Sequence, residues 1–83
     1  MKKKFKQRKW HYYLFAYKYQ CTNGAVGYGC KTISKNNINV TQSTFDYVSE
    51  LARKSIDHYV ESILITSVSY LGYMTEKEFF DEP

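Results

Sequence analysis

The stretch "WHYYLFAYKYQ", residues 10–20, constrains the fold more than any other segment of the chain. Its residue types favour extended backbone, and through most of its length both alternating faces are apolar or aromatic. A strand over solvent has one face to hide, whereas a strand apolar on both faces belongs at the centre of a sheet. With 83 residues the chain supports one domain and one modest core, so this strand is expected to organise it. Nine tyrosines, five phenylalanines and one tryptophan supply the apolar area.

The other elements are read around that strand. "CTNGAV" contains Asn23-Gly24, a hairpin signal because a type I′ turn needs φ > 0 at both central positions. Residues 26–34, "VGYGCKTIS", form the returning strand, and "KNNINVTQS" is polar loop. Ser43 followed by Asp46 resembles a capping box with Asp in place of Glu. Phe45, Val48, Leu51, Ala52 and Ile56 then recur at spacings of three and four, which predicts a helix running to about His58. Residues 62–71, "SILITSVSYL", are a third strand that Gly72 ends. Thr75 and Glu78 make a second capping box, predicting a short acidic helical turn over 76–81.

The class is α+β and the order ββαβ. A crossover helix returns the third strand parallel to the second, and the doubly apolar first strand takes the centre. The expected architecture is a three-stranded antiparallel sheet, order 2-1-3, with one helix packed on one face. Residues 1–9 are a basic tail, 10–73 the domain, and 74–83 an acidic segment with the helical turn. The second sheet face has no helix of its own unless the C-terminal turn reaches it.

The hairpin register decides what that second face carries. A two-residue Asn23-Gly24 turn sets Cys21 opposite Val26, Tyr19 opposite Tyr28, Tyr17 opposite Cys30 and Phe15 opposite Thr32. These residues and Tyr13 then floor the helix. Leu14, Ala16, Lys18, Gly27, Gly29, Lys31 and Ile33 share the other face, where the glycines leave bare backbone in a basic trough. A three- or five-residue loop reverses the parity, and Tyr17 and Tyr19 then cover the glycines as cross-strand neighbours. The two-residue turn is favoured.

Charge is divided along the chain. Lys2, Lys3, Lys4, Lys6, Arg8, Lys9, Lys18, Lys31 and Lys35 precede the first acid, Asp46; from Asp46 onward eight acids face Arg53, Lys54 and Lys77. Such asymmetry favours an anionic ligand on one side or complementary pairing between subunits, so a homo-oligomer is expected. Cys21 and Cys30 are too few and too far offset along the ladder for a bridge, and the expected compartment is the cytoplasm. The start "MKKKFKQRK" leads into polar-aromatic sequence without a clean apolar signal region, and no stretch approaches a membrane span.

No catalytic constellation stands out. His11 and His58 have no nucleophile and carboxylate pattern around them, and isolated histidines are more often structural. The cysteines and histidines lack zinc-ligand spacing, so neither metal nor cofactor is expected. Gly27-Tyr28-Gly29 is not a phosphate loop, having no Lys and Ser or Thr before a helix. The chain is not read as an enzyme. Two binding classes remain. Sheet aromatics interleaved with lysines are how single-stranded nucleic acid is stacked and neutralised, with Lys2, Lys3, Lys4, Lys6, Arg8 and Lys9 adding salt-sensitive affinity. The plainer account makes the aromatics core and the tail a solvated terminus. The favoured class is a sequestering or inhibitory binding protein that uses the helix-free face and the Phe79-Phe80 pair as an interface.

An aromatic strand "YYLFAYKY", a short Asn-Gly turn, a "GYG" segment, one helix and "ILITSVSYLGYMTEKEFF" together resemble small single-domain accessory proteins of phages and prophages. The resemblance spans residues 10–80. It implies a compact factor acting in the host cytoplasm by stoichiometric binding, either of a host protein in host manipulation or counter-defence, or of a nucleotide signal. For an anionic small ligand, Lys18 and Lys31 with the Gly27 and Gly29 backbone are the expected phosphate contacts, and Trp10 or Tyr12 the base-stacking ring.

Overall fold

The computed structural model describes residues 8–56 and 59–81. In chain order it contains strand β1 (Lys9–Cys21), strand β2 (Val26–Lys35), helix α1 (Gln42–Lys54), strand β3 (Val60–Thr75) and the short helix α2 (Glu76–Phe79). The sheet is three-stranded and antiparallel in the order β2-β1-β3, with the aromatic strand at its centre.

α1 packs on one face of the sheet. Tyr13, Phe15 and Ile33 from the sheet and Val48 from the helix form the core, with Val40, Phe45, Leu51 and Ile65 packed around them. Phe15 and Val48 are fully buried, and the Phe45 ring meets Phe15 edge-on at 5.9 Å. Phe45, Val48, Leu51 and Ala52 of the stripe read from spacing are thus the core-facing stripe of the helix, with Val48 and Ala52 sealed, whereas Ile56 lies beyond the helix end at Lys54. The Tyr13 hydroxyl donates to the Ile38 carbonyl, which pins the β2–α1 loop over the same face.

The hairpin corrects the expected register. Gly24 N–H donates to the Cys21 carbonyl at 2.9 Å, Cys21 N–H donates to the Ala25 carbonyl at 2.8 Å, and Gly24 has φ +91°. The loop is therefore the three residues Thr22-Asn23-Gly24: a turn closed by a left-handed glycine, not a two-residue type I′ turn. Asn23 Oδ1 accepts from Ala25 N–H at 2.9 Å and fixes this arrangement. One residue of slip changes every pairing, so Tyr19 lies opposite Gly27 and Tyr17 opposite Gly29.

Element ends differ from expectation for local reasons. α1 begins after Thr41, not Ser43, and Thr41 N–H donates to Thr44 Oγ1 at 3.2 Å. Thr44 is buried and also accepts from Lys35 Nζ at 3.2 Å, which ties the helix start to the end of β2. The helix closes at Lys54, where Arg53 donates to the Val60 carbonyl at 2.8 Å; His58, the expected end, lies outside the described residues. Gly72 does not end β3. It has φ +133° beside a register shift, and the strand continues to Thr75. Lys9 already pairs with Thr75 in the sheet, and Lys2, Lys3, Lys4 and Lys6 of the expected tail lie outside the described residues.

Candidate functional site

Strand alternation and the observed register sort the candidate residues between the two faces. Gly27, Gly29, Lys31 and Ile33 lie opposite Tyr19, Tyr17, Phe15 and Tyr13, all on the helix face. Trp10, Tyr12 and Lys18 lie on the other. The expected basic trough is therefore not formed: Lys18 and Lys31 point to opposite sides of the sheet, and the Tyr19 and Tyr17 rings occupy the space over Gly27 and Gly29. The glycines make room for tyrosines, as the reversed-parity reading has it. Cys21 is buried on the helix face and Cys30 exposed on the other, so both are free thiols.

The helix-free face is covered at one end only. Thr75 and Glu78 form the expected capping box: Glu78 N–H donates to Thr75 Oγ1 at 3.1 Å and Thr75 N–H donates to Glu78 Oε1 at 2.8 Å. The backbone bond from Thr75 holds the Glu78 carboxyl below the usual glutamate range. This turn swings Phe79 onto Tyr12, the rings stacking at 4.2 Å with 5° between planes, and Phe80 stands edge-on to Phe79 at 4.9 Å. Tyr12 is buried as a result. Burial, and secondly the charge of Glu76, push its hydroxyl above the ordinary tyrosine value.

Trp10, Tyr12, Phe79 and Phe80, singled out separately in the sequence as ring and partner contacts, thereby line one groove of about 420 Å³. Its other walls come from Thr32, Ile33, Ser34 and Glu76. Arg8 lays its guanidinium over the Trp10 ring at 4.3 Å and donates to Asn36 Oδ1 at 2.6 Å, bracing the open end. Phe80 remains 67% exposed. Thr32, Ser34 and Glu76 escaped sequence reasoning because their role depends on α2 reaching β2. The Thr75–Glu78 spacing together with the parity of Tyr12 held that information.

Beyond the groove the face stays uncovered. One cross-strand row places Lys18 between Tyr28, 75% exposed, and Leu64, 63% exposed. Val26 is exposed as well, while Leu14 and Ala16 are half-buried in the centre. His11 lies on the helix face, stacked on Tyr73 at 4.5 Å with its Nδ1 2.9 Å from the Tyr70 hydroxyl, a satisfied structural position. Among the described residues no group of three or more His, Cys, Asp and Glu gathers as a metal site, and no helix is long and apolar enough to cross a membrane. Comparison with protein-family models, curated proteins and solved structures finds no match to this chain.

Proposed function

We propose that the chain is a non-enzymatic binding protein that engages a protein partner stoichiometrically through the helix-free face of its sheet. The observation that carries this reading is the convergence of Trp10, Tyr12, Phe79 and Phe80 on one groove at the end of a helix-free face that also exposes Val26, Tyr28 and Leu64. Aromatic anchors in a pocket, bordered by exposed apolar residues, are the composition of protein-binding surfaces. Glu76 on the groove wall opposes a phosphate-bearing occupant, which favours a polypeptide over a nucleotide or a nucleic acid. A host-manipulation or counter-defence role agrees with the resemblance to phage accessory proteins, where small factors act by occupying a target.

The test is affinity capture from host cells producing the tagged chain. The expected result is a protein retained after nuclease treatment by the wild type and lost, by about tenfold or more, from Phe80→Ala, as for an interface anchor worth at least 1.4 kcal/mol. Capture that needs intact nucleic acid, or that ignores Phe80, overturns the reading. Phe80 is exposed, so its truncation leaves the fold in place.

A further inference from the structure

Both outer strands keep a free edge among the described residues, because β1 lies between them. The two edges are not equivalent. Against β1, β3 carries the extra residues Glu61, Thr66 and Leu71, one at each register shift, and bulges of this kind twist an edge away from further pairing. β2 runs against β1 without a shift from Val26 to Lys35.

The hairpin-closing bond from Cys21 N–H to the Ala25 carbonyl sets which backbone groups of β2 are already used. Hydrogen-bonded pairs recur every second residue of an antiparallel ladder. Ile33 and Lys35 therefore turn their N–H and C=O groups toward β1, and Thr32 and Ser34 turn theirs outward. The same stretch is bordered by a groove on each face. The aromatic groove touches Thr32, Ile33 and Ser34 from the open side. A second groove, about 240 Å³, touches Ile33, Ser34 and Lys35 from the helix side, with Thr44 and Tyr47 on its far wall.

We propose that the β2 edge at Thr32–Lys35 accepts an extended segment of the partner protein as a fourth strand, in which apolar residues alternate with acidic ones. The proposal rests on the protein-binding reading above and specifies the mode and the chemistry of the partner. Side chains of an added strand alternate between faces, so every second residue enters the aromatic groove and the residues between enter the second. The first groove takes a large apolar side chain. The second presents the Lys35 ammonium and the hydroxyls of Thr41, Ser43 and Thr44, which suit a carboxylate. β2 carries Lys31 and Lys35 and no acid, so its edge attracts an acidic strand. A symmetric pairing of β2 with a second copy centred on Ile33 sets Lys31 against Lys35, and in any register it joins two basic, acid-free strands, so it is disfavoured.

The test selects binders to the full chain from a random peptide library and titrates the strongest, with Trp10, the one tryptophan, reporting occupancy of the groove. Selected sequences are expected to alternate apolar residues with Asp or Glu. Backbone N-methylation at one parity of the peptide should weaken binding about tenfold or more, and at the other parity hardly at all, since only one edge of an added strand bonds β2. Thr32→Pro should weaken binding similarly, because its N–H is outward and an edge strand tolerates proline there. A peptide that loses affinity in Phe80→Ala but is indifferent to N-methylation at both parities overturns the strand addition and leaves the groove reading standing. Failure to select any peptide whose binding depends on Phe80 overturns both.

Discussion

At Gly29 an added methyl would stand 2.6 Å from the Tyr17 hydroxyl, and at Gly27 it would meet the end of the Tyr19 ring. The two positions look alike, but their neighbours differ in freedom. Tyr17 is buried, whereas Tyr19 is half-exposed and can swing toward solvent. Gly29→Ala is therefore expected to cost about 1–3 kcal/mol by overpacking. Gly27→Ala should fall within about 0.5 kcal/mol of wild type, because restricting the unfolded chain offsets the displaced ring. Urea midpoints at unchanged slope measure both, and equal losses would contradict the assignment of a fixed Tyr17 and a movable Tyr19. This register was only half legible. Asn23-Gly24 announces a turn in either geometry, and the choice lies in whether Gly24 alone or both residues adopt positive φ. Asn23 has no positive φ, and its side chain accepts from Ala25 instead.

Among the elements, α2 illustrates how a local pattern controls a distant surface. Thr75 is buried and caps the turn, so Thr75→Ala is expected to cost about 1 kcal/mol and to release Phe79 from Tyr12. Glu78 closes the same box as a carboxylate with a lowered pKa. Its stabilising contribution is present above the ordinary glutamate pKa, about 4.3, and is lost as pH falls through the lowered folded value. Trp10 fluorescence should report this loosening on acidification, and Glu78→Gln should flatten that part of the profile. A profile unchanged in Glu78→Gln would detach the groove from the capping box. The box was legible because threonine and glutamate stand at the required spacing just before Phe79 and Phe80. The start of α1 was not, because "TQST" offers three hydroxyl residues and tertiary contacts choose among them. Thr41 takes the cap because Thr44, its partner three residues on, is fixed by burial and by Lys35, neither of which is a property of the segment itself. Gly72 misled for a related reason: a glycine that reads as a strand breaker also serves a bulge.

For the whole molecule, strand order and the helix-bearing face follow from one fact of the sequence, the doubly apolar β1, and both are found in the structure. The faces of β1 were read correctly, but the face each β2 residue takes did not follow, because it depends on a single residue in the loop. The resulting molecule packs its apolar groups in two places, a core beneath α1 and an aromatic patch beneath α2, and the two are expected to differ in stability. Phe15 is wholly enclosed between the sheet and α1, against Phe45 and Tyr13. Phe15→Ala is expected to cost about 3–5 kcal/mol, a large share of the ~5–15 kcal/mol that holds a domain of ordinary stability. Because β1 joins both neighbours, that loss should shift one cooperative transition, with Trp10 fluorescence and far-UV circular dichroism moving together. Phe79→Ala removes only the ring stacked on Tyr12. It should change Trp10 fluorescence and amide exchange around α2 under native conditions while leaving the far-UV midpoint within about 1 kcal/mol, as local opening draws on less than the global free energy. If Phe79→Ala instead lowered the global midpoint as far as Phe15→Ala, the aromatic patch would be part of the core, and the open face would lose its claim to be free for a partner.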